Sequence, residues 1–175
     1  MNQEILLEEV TAWTVETYIS VGKKSYREHY LHLWENEDPT PYISKSFTPQ
    51  VVKLELADPN VINYLVKMGD AVVGIVKLIR DQSLDELSPK DSLLAQKIYL
   101  LKAYAGMGIG KKVLQLIEDY ARKLNKKVVW LDTMQKRGPI QFYQKNGYVI
   151  KRESELRLPG AKPSEKAMWI LTKQL

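Results

Sequence analysis

The stretch that decides the fold is "KIYLLKAYAGMGIGKKVLQLIEDYARKL", residues 97–124. Its apolar beginning belongs to a run, Leu93–Leu101, that predicts a strand. Three alternating glycines follow: Gly106, Gly108 and Gly110. From Gly108 to Leu124, apolar side chains recur at helical spacing and form one face, which predicts an amphipathic helix. A glycine-rich turn between a strand and a helix is a place where an anion can bind.

Two common phosphate-binding loops do not fit this turn. A Walker loop, G-x-x-x-x-G-K-[ST], would need glycine at Ala105 and a hydroxyl group at Lys112. A dinucleotide fingerprint, G-x-G-x-x-G, would need glycine at Lys111 and would follow the first strand. A helix N-terminus remains, whose free N–H groups and dipole attract anions, with glycines that admit a bulky phosphate. The alternative is that the glycines only form a tight turn.

The rest of the chain predicts strands and helices in an order typical of an α/β protein. The predicted strands are Glu4–Trp13, Ile62–Met68, Ala71–Ile79, Leu93–Leu101, Lys127–Thr133, Tyr148–Leu158 and Ala167–Leu175. The predicted helices are Thr14–Trp34 (interrupted near Gly22, or two short helices), Ser46–Asp58, Gly108–Leu124 and Pro139–Asn146. Glu35–Pro41 is predicted as a loop, and Arg80–Asp91 as an exposed excursion. The alternating second half favours a mixed sheet covered by helices on both faces.

Size and composition narrow the classes of protein. A chain of 175 residues suits a single domain, residues 1–175. Because it contains no cysteine, thiolate nucleophiles, disulfides and cysteine metal sites are excluded. No apolar run approaches the length of a membrane span, and Met1–Glu9 lacks the basic segment of a signal peptide. We therefore expect a cytoplasmic protein with no membrane partner.

The net charge of +5 does not predict a nucleic-acid partner, because the lysines are scattered and no binding motif accompanies them. His29 and His32 lie three residues apart, a spacing that could hold a metal, but no third ligand is near in sequence. No metal site is predicted.

Two motifs together resemble the GNAT (Gcn5-related) N-acetyltransferase family. The glycine-rich stretch is similar to that family's acetyl-CoA signature. Downstream, "VVWLDTMQKRGPIQFYQKNGYVIKRE", residues 128–153, resembles the family's next strand, its "A-x-x-F-Y-x-K-x-G-F" helix and the strand after it. The resemblance is specific from about residue 96 to residue 150. It implies a GNAT fold, with a mixed, mostly antiparallel sheet of about seven strands and helices on both faces.

The resemblance also implies a cofactor, a reaction and a set of residues. Acetyl-CoA would bind between the splayed fourth and fifth strands, and an acceptor amine would attack its thioester directly. The implied acetyl-CoA contacts are Ile98, Tyr99, Leu100, Gly106, Met107, Gly108, Ile109, Gly110, Lys111, Lys136 and Tyr143. Tyr143 matches the tyrosine that protonates the leaving thiolate, a role that suits a phenol neutral at pH 7. The alternative for Tyr143 is an aromatic core residue beside Phe142.

The sequence departs from the family pattern at three positions. Ala105 replaces the glutamine or arginine that usually opens the loop. Gln96 stands where many members place a glutamate as general base, so proton removal requires another carboxylate, a water chain or solvent. Lys136 replaces an asparagine and could reach a phosphate of CoA.

The acceptor is predicted only as a class. Within the family, the chain most resembles the PaiA-like group, some of whose members acetylate polyamines, and this implies a small-molecule amine. Candidate wall residues of the acceptor site are Trp34, Tyr42, Ser46 and Phe47, with Glu35, Glu37 and Asp38 as candidate carboxylates for a polycation. Alternatives are a protein or peptide amine as the acceptor, and a catalytically weak acetyl-CoA-binding regulatory protein. The final strands could form a homodimer surface.

Overall fold

The computed structural model describes residues 3–175, which form one seven-stranded sheet with helices on both faces. The strands are β1 (Ile5–Glu9), β2 (Val61–Met68), β3 (Ala71–Ile79), β4 (Ser92–Leu100), β5 (Val128–Met134), β6 (Val149–Glu155) and β7 (Ala167–Gln174). The helices are α1 (Val15–Tyr30), α2 (Thr40–Ser46), α3 (Pro49–Ala57), α4 (Ile109–Lys123) and α5 (Ile140–Lys145). Short 3-10 turns lie at Leu31–Leu33, Glu35–Glu37 and Lys102–Tyr104.

The sheet is mixed and mostly antiparallel, with the strand order β1-β2-β3-β4-β5-β7-β6. β1 to β4 pair antiparallel in sequence order, and β7 pairs antiparallel with both β5 and β6. Only β4 and β5 are parallel, because α4 carries the chain back across the sheet between them. The predicted fold class is confirmed.

Each face of the sheet has its own apolar core. On one face, α4 buries a stripe at helical spacing that comprises Ile109, Val113, Leu114, Ile117 and Ala121. Tyr143 of α5 and Tyr148 belong to the same core. On the other face, residues of α1, α2 and α3 pack around Tyr18, Tyr26, Trp34 and Phe47. Burial of these two apolar cores removes a large apolar area from water and stabilises the layered arrangement.

The sheet opens between β4 and β5. Their ladder covers only Ser92–Leu94 against Val128–Trp130, so the rest of β4 has no strand beside it on that edge. A β-bulge lies at the start of this open part, because Lys77 pairs with Lys97 and Leu78 with Ala95, which leaves Gln96 without a partner. Bulges bend a strand and increase its twist, which fits the divergence of β4 from β5.

Four local expectations differ from the structure. α1 continues through Gly22 without a break. The glycine there does not interrupt the helix but makes room for the Phe47 ring, which a Cβ would overlap. Residues 40–46 form a separate helix, α2, because the prolines near its start occupy positions where no N–H bond is lost. The excursion 80–91 is anchored by buried Leu84. β1 ends at Glu9, and Trp13 is exposed.

Candidate active site

Two cavities meet inside the open part of the sheet. The loop cavity, of about 520 Å³, lies between the glycine-rich turn, the C-terminal half of β4 and the start of α5. The tyrosine cavity, of about 400 Å³, lies between α1, α2 and the diverging strands β4 and β5. Residues that line both cavities are Tyr30, Ile98, Tyr99 and Tyr143. The split sheet therefore connects the turn on one side with a tyrosine-rich chamber on the other.

The glycine-rich turn presents bare backbone to the loop cavity. Gly106 and Gly108 have positive φ angles of 76° and 77°, which side chains rarely adopt, and a Cβ at either position would meet no atom within 4 Å. The first N–H groups of any helix have no intrahelical acceptor. Gly108, the N-cap of α4, has no side chain that could accept a hydrogen bond from them. These N–H groups and the dipole of a 15-residue helix create a positive potential there.

Two basic residues and one aromatic residue complete this end of the loop cavity. Lys111 and Arg137 line it and add positive charge beside the helix N-terminus. Gly110 has a different role from the other two glycines, because a Cβ there would lie 3.0 Å from the ring of Phe142 in α5. The small size of glycine at this position lets α5 pack against the beginning of α4.

The exposed edge of β4 forms the wall between the cavities. Ile98, Tyr99 and Leu100 lie beyond the short β4–β5 ladder, so their backbone polar groups on that edge have no strand partner. His29 of α1 contacts one of them, with its Nε2 2.9 Å from the Leu100 carbonyl oxygen. An extended ligand with amide groups could pair with this edge in the way that a strand does.

Tyr143 of α5 lies where the two cavities join. It is buried, packs edge-on against Tyr148 and tilted against Phe142, and its hydroxyl group has no hydrogen-bond partner among residues 3–175. Burial raises the pKa of its phenol well above 10, with Tyr30 and Asp132 adding to the rise. The hydroxyl group is therefore a neutral donor at physiological pH, on a residue that lines both cavities.

The tyrosine cavity has an ordered aromatic wall. The hydroxyl groups of Tyr42 and Tyr99 lie 2.6 Å apart, and the ring of Tyr26 stacks on that of Tyr42 at 4.1 Å. Burial raises the pKa of Tyr30 to about 12. The wall thus offers neutral hydroxyl groups on a rigid aromatic surface.

Asp132 of β5 is a site residue that the sequence reasoning missed. It faces the tyrosine cavity, where water can reach it although protein surrounds it on most sides, and this enclosure raises the pKa of its carboxyl group. Its nearest ionisable neighbours include Tyr30 and Tyr143, whose pKa values it raises further. A lone aspartate within the apolar run "VVWLDTM" was the available signal, since a buried strand rarely carries an unpaired charge.

The structure brings together some of the predicted site residues and separates others. The predicted residues that line one or both cavities are Ile98, Tyr99, Leu100, Gly106, Gly108, Ile109, Gly110, Lys111, Tyr143, Tyr42 and Ser46. Trp34 and Phe47 do not line the tyrosine cavity, because both are fully buried behind it, and the Trp34 indole donates to Tyr26. The carboxylates at 35, 37 and 38 are exposed and lie outside the cavity.

Two further predicted contacts lie away from the loop cavity. Met107 is exposed on the opposite side of the turn, in a shallow cleft beside β1. The Lys136 ammonium donates to the Ser164 carbonyl oxygen at 2.6 Å, and the next residue, Arg137, reaches the loop cavity in its place. Within residues 3–175, no three metal-ligating side chains cluster, and no helix has the length and apolar character needed to cross a bilayer.

Comparisons with known proteins agree with this geometry. The sequence model of the Acetyltransferase (GNAT) family matches residues 9–148, well over half of the chain. An uncharacterised N-acetyltransferase of Lactobacillus delbrueckii subsp. lactis is 25% identical over 114 residues, which are 65% of this chain and 66% of that protein.

Two solved structures have a similar fold. The PaiA N-acetyltransferase of Thermoplasma acidophilum, solved with coenzyme A, superposes with a TM-score of 0.76 at 16% identity, over 98% of this chain and 99% of that one. The spermidine/spermine N-acetyltransferase SpeG of Vibrio cholerae gives a TM-score of 0.68 at 15% identity, over 98% and 92% of the two chains.

Proposed function

The chain belongs to the acetyltransferase (GNAT) family, and on this basis we propose that it transfers an acetyl group from acetyl-CoA to the primary amine of a small acceptor. The observation that carries the proposal is the junction at Tyr143, where a cavity suited to a phosphorylated ligand meets a chamber suited to an amine. Tyr143 lines both cavities, and its hydroxyl group has no hydrogen-bond partner among residues 3–175, so its proton is available for donation between two substrates.

The loop cavity fits the proposed cofactor. The free N–H groups at the start of α4, with Lys111 and Arg137 beside them, suit a pyrophosphate, and a Cβ at Gly108 would occupy the space it needs. The open edge at Ile98–Leu100 suits the amide groups of the pantetheine arm. Acetyl-CoA supplies the acetyl group as a thioester, which an amine can attack.

The proton transfers can be assigned to residues at the junction. The acceptor arrives as an ammonium ion and must lose one proton before its nitrogen can attack. Gln96 cannot accept that proton, whereas the Asp132 carboxylate faces the same cavity and has a raised pKa that makes it a better base. As the new C–N bond forms and the C–S bond breaks, Tyr143 donates its proton to the leaving sulfur. It regains a proton from the second N–H of the amine, so one proton is released per turnover.

Polyamines are one acceptor class within this proposal. Support comes from the similar fold of the spermidine/spermine N-acetyltransferase SpeG.

The test is release of CoA thiol from acetyl-CoA across a panel of amines that includes spermine and spermidine. We expect release that depends on one class of amine, together with an acetyl-CoA-dependent rise in melting temperature. A rise in melting temperature without any turnover would favour the regulatory, catalytically weak alternative. Absence of both effects would contradict the proposed function.

A further inference from the structure

Some of the charged side chains that line the tyrosine cavity have ion-pair partners, and others have none. Six charged side chains contribute to its wall: Lys45, Lys77, Lys97, Asp132, Glu155 and Arg157. Lys77 pairs with Glu55 of α3, and Glu155 lies 3.4 Å from Arg157 and 3.5 Å from Lys166. Within residues 3–175, Lys45, Lys97 and Asp132 have no ion-pair partner, and Lys45 lies at the exposed mouth.

Lys97 is a buried lysine that has no ion-pair partner among residues 3–175. Its side chain lines the cavity with 4% of the residue exposed, and its ammonium lies 4.8 Å from the centre of the Phe47 ring. The charged groups that face it are Lys77 of β3 and Glu55 of α3, and Glu55 is already paired. Burial and the neighbouring Lys77 lower the pKa of Lys97 to about 7. An unpaired buried lysine destabilises the folded state. A purely structural role therefore does not explain why a lysine stands at position 97.

Asp132 provides the opposite charge in the wall of the same chamber. It lies on β5 near Tyr143 and Tyr30, at the junction with the loop cavity, whereas Lys97 lies deeper, against Phe47 and Lys77. One unpaired carboxylate near the junction and one unpaired ammonium in the wall match a ligand with both charges. A polyamine would instead bring a second ammonium ion against Lys97.

We propose that the acceptor is an amino carboxylic acid, whose ammonium group binds at Asp132 beside Tyr143 and whose carboxylate binds at Lys97. This inference rests on the proposed function and names its substrate class. Binding would give Lys97 the counter-ion that the chain does not supply, and a carboxylate would hold Lys97 in its charged form. Tyr42 and Tyr99 line the same chamber, and because one of their hydroxyl groups donates to the other, one O–H remains to donate a hydrogen bond to the carboxylate.

The test compares each amino acid with the amine left after its decarboxylation, for example lysine with cadaverine and phenylalanine with phenethylamine. Thiol release from acetyl-CoA gives kcat/KM for both members of a pair. We expect the best amino acid to exceed its matched amine by about tenfold or more, as for one charge-assisted hydrogen bond. Lys97→Met should remove this preference by lowering kcat/KM for the amino acid. Lys45→Met, at the exposed mouth, is the matched control and should retain the preference.

Calorimetric titration of the CoA complex at pH 8, in buffers of different ionisation enthalpy, gives a second readout that does not depend on turnover. Amino acid binding should take up protons at Lys97, and the matched amine should not; Lys97→Met should abolish the uptake. Any of three results would overturn the inference. The first is faster turnover of amines or spermidine than of amino acids, and the second is an equal fall in kcat/KM for both members of a pair in Lys97→Met. The third is the absence of amino acid binding. Failure of the proposed function would appear separately, as absence of acetyl-CoA binding or as acetyl-CoA binding without turnover of any amine or amino acid.

Discussion

Lys97 and Lys77 lie opposite each other in the β3–β4 ladder, yet in the described part of the chain only Lys77 has a carboxylate partner. That partner, Glu55, has both oxygens occupied, one by Lys77 and the other by the Asn63 amide at 2.9 Å. Two lysines therefore lie beside a carboxylate whose two oxygens each already accept a hydrogen bond from another group. Burying the charged form of Lys97 without a partner therefore makes the free energy of folding less favourable.

Lys97→Met should stabilise the protein. The pKa of Lys97 is about 7 in the folded chain and 10.5 for an unperturbed lysine in the unfolded chain, so between these values the unfolded state binds more protons. Lys97 therefore makes the free energy of unfolding rise as pH increases from about 7 toward 10. The substitution should raise this free energy at pH 7 by about 1–3 kcal/mol and reduce its pH dependence. Urea unfolding across this pH range measures both effects, with exposed Lys53→Met as the control; parallel profiles for wild type and Lys97→Met would contradict the prediction.

Tyr143→Phe should impair turnover and not stability. Because its hydroxyl group has no hydrogen-bond partner among the described residues, removing it leaves the core intact, whereas the loss of a general acid lowers kcat by about 10²–10⁴-fold. Tyr148→Phe is the reciprocal control, since it removes the contact of a buried hydroxyl with Glu118 at 3.3 Å and should lower the melting temperature more than kcat. Steady-state kinetics and thermal unfolding of both variants check this. Equal kcat values for Tyr143→Phe and wild type would exclude the assigned role.

Gly108→Ala should weaken acetyl-CoA binding beyond its effect on folding. The positive φ of 77° makes alanine cost about 1–2 kcal/mol, and the new methyl group would enter the space above the turn. Gly69→Ala, at φ 59° in the β2–β3 hairpin, introduces similar backbone strain at a position that does not line the loop cavity. Both variants should lose stability, but only Gly108→Ala should raise the acetyl-CoA Kd in a calorimetric titration. A raised Kd in both would indicate a general effect of destabilisation.

Gly22→Ala should destabilise the protein although alanine is the better helix former. The added methyl group would overlap the Phe47 ring, and overpacking of this kind costs about 1–3 kcal/mol, more than the gain of about 1 kcal/mol in helix propensity. Ser20→Ala, at an exposed position of the same helix, has no such contact and should be neutral or mildly stabilising. Chemical unfolding compares the two. A stabilised Gly22→Ala would show that Phe47 moves aside at little cost.

The sequence was sufficient for the features that depend on local pattern. The stripe on α4, the hairpin at Gly69-Asp70 and the strand-turn-helix around Gly108 all follow from spacing and turn chemistry, and the structure contains them. α2 was missed because prolines at 39 and 41 suggested a loop, although proline is well tolerated in the first turn of a helix.

The missed parts of the site depend on long-range geometry. Asp132 joins the cavity only because β4 and β5 diverge, and their register cannot be read from either strand alone. Trp34 and Phe47 were expected at the acceptor wall from their place in the chain, but their size makes them fillers of the core behind that wall. Arg137 replaces Lys136 at the loop cavity because the tight loop before α5 decides which of two adjacent basic side chains faces inward.

The bulge at Gln96 has a consequence for how this site can change during evolution. Gln96 is the extra residue of β4, and it lines the tyrosine cavity beside its sequence neighbour Lys97. Point substitutions can therefore alter the chemistry of the chamber one side chain at a time. Loss of the Gln96 codon would remove the bulge and leave Lys97 opposite Lys77, because Ala95 and Lys97 would then pair with Leu78 and Lys77 in a regular ladder. Loss of a codon for a regularly paired residue of β4 would instead reverse the facing of the residues that follow it. The strand thus tolerates replacement along its length but a change in length only at the bulge.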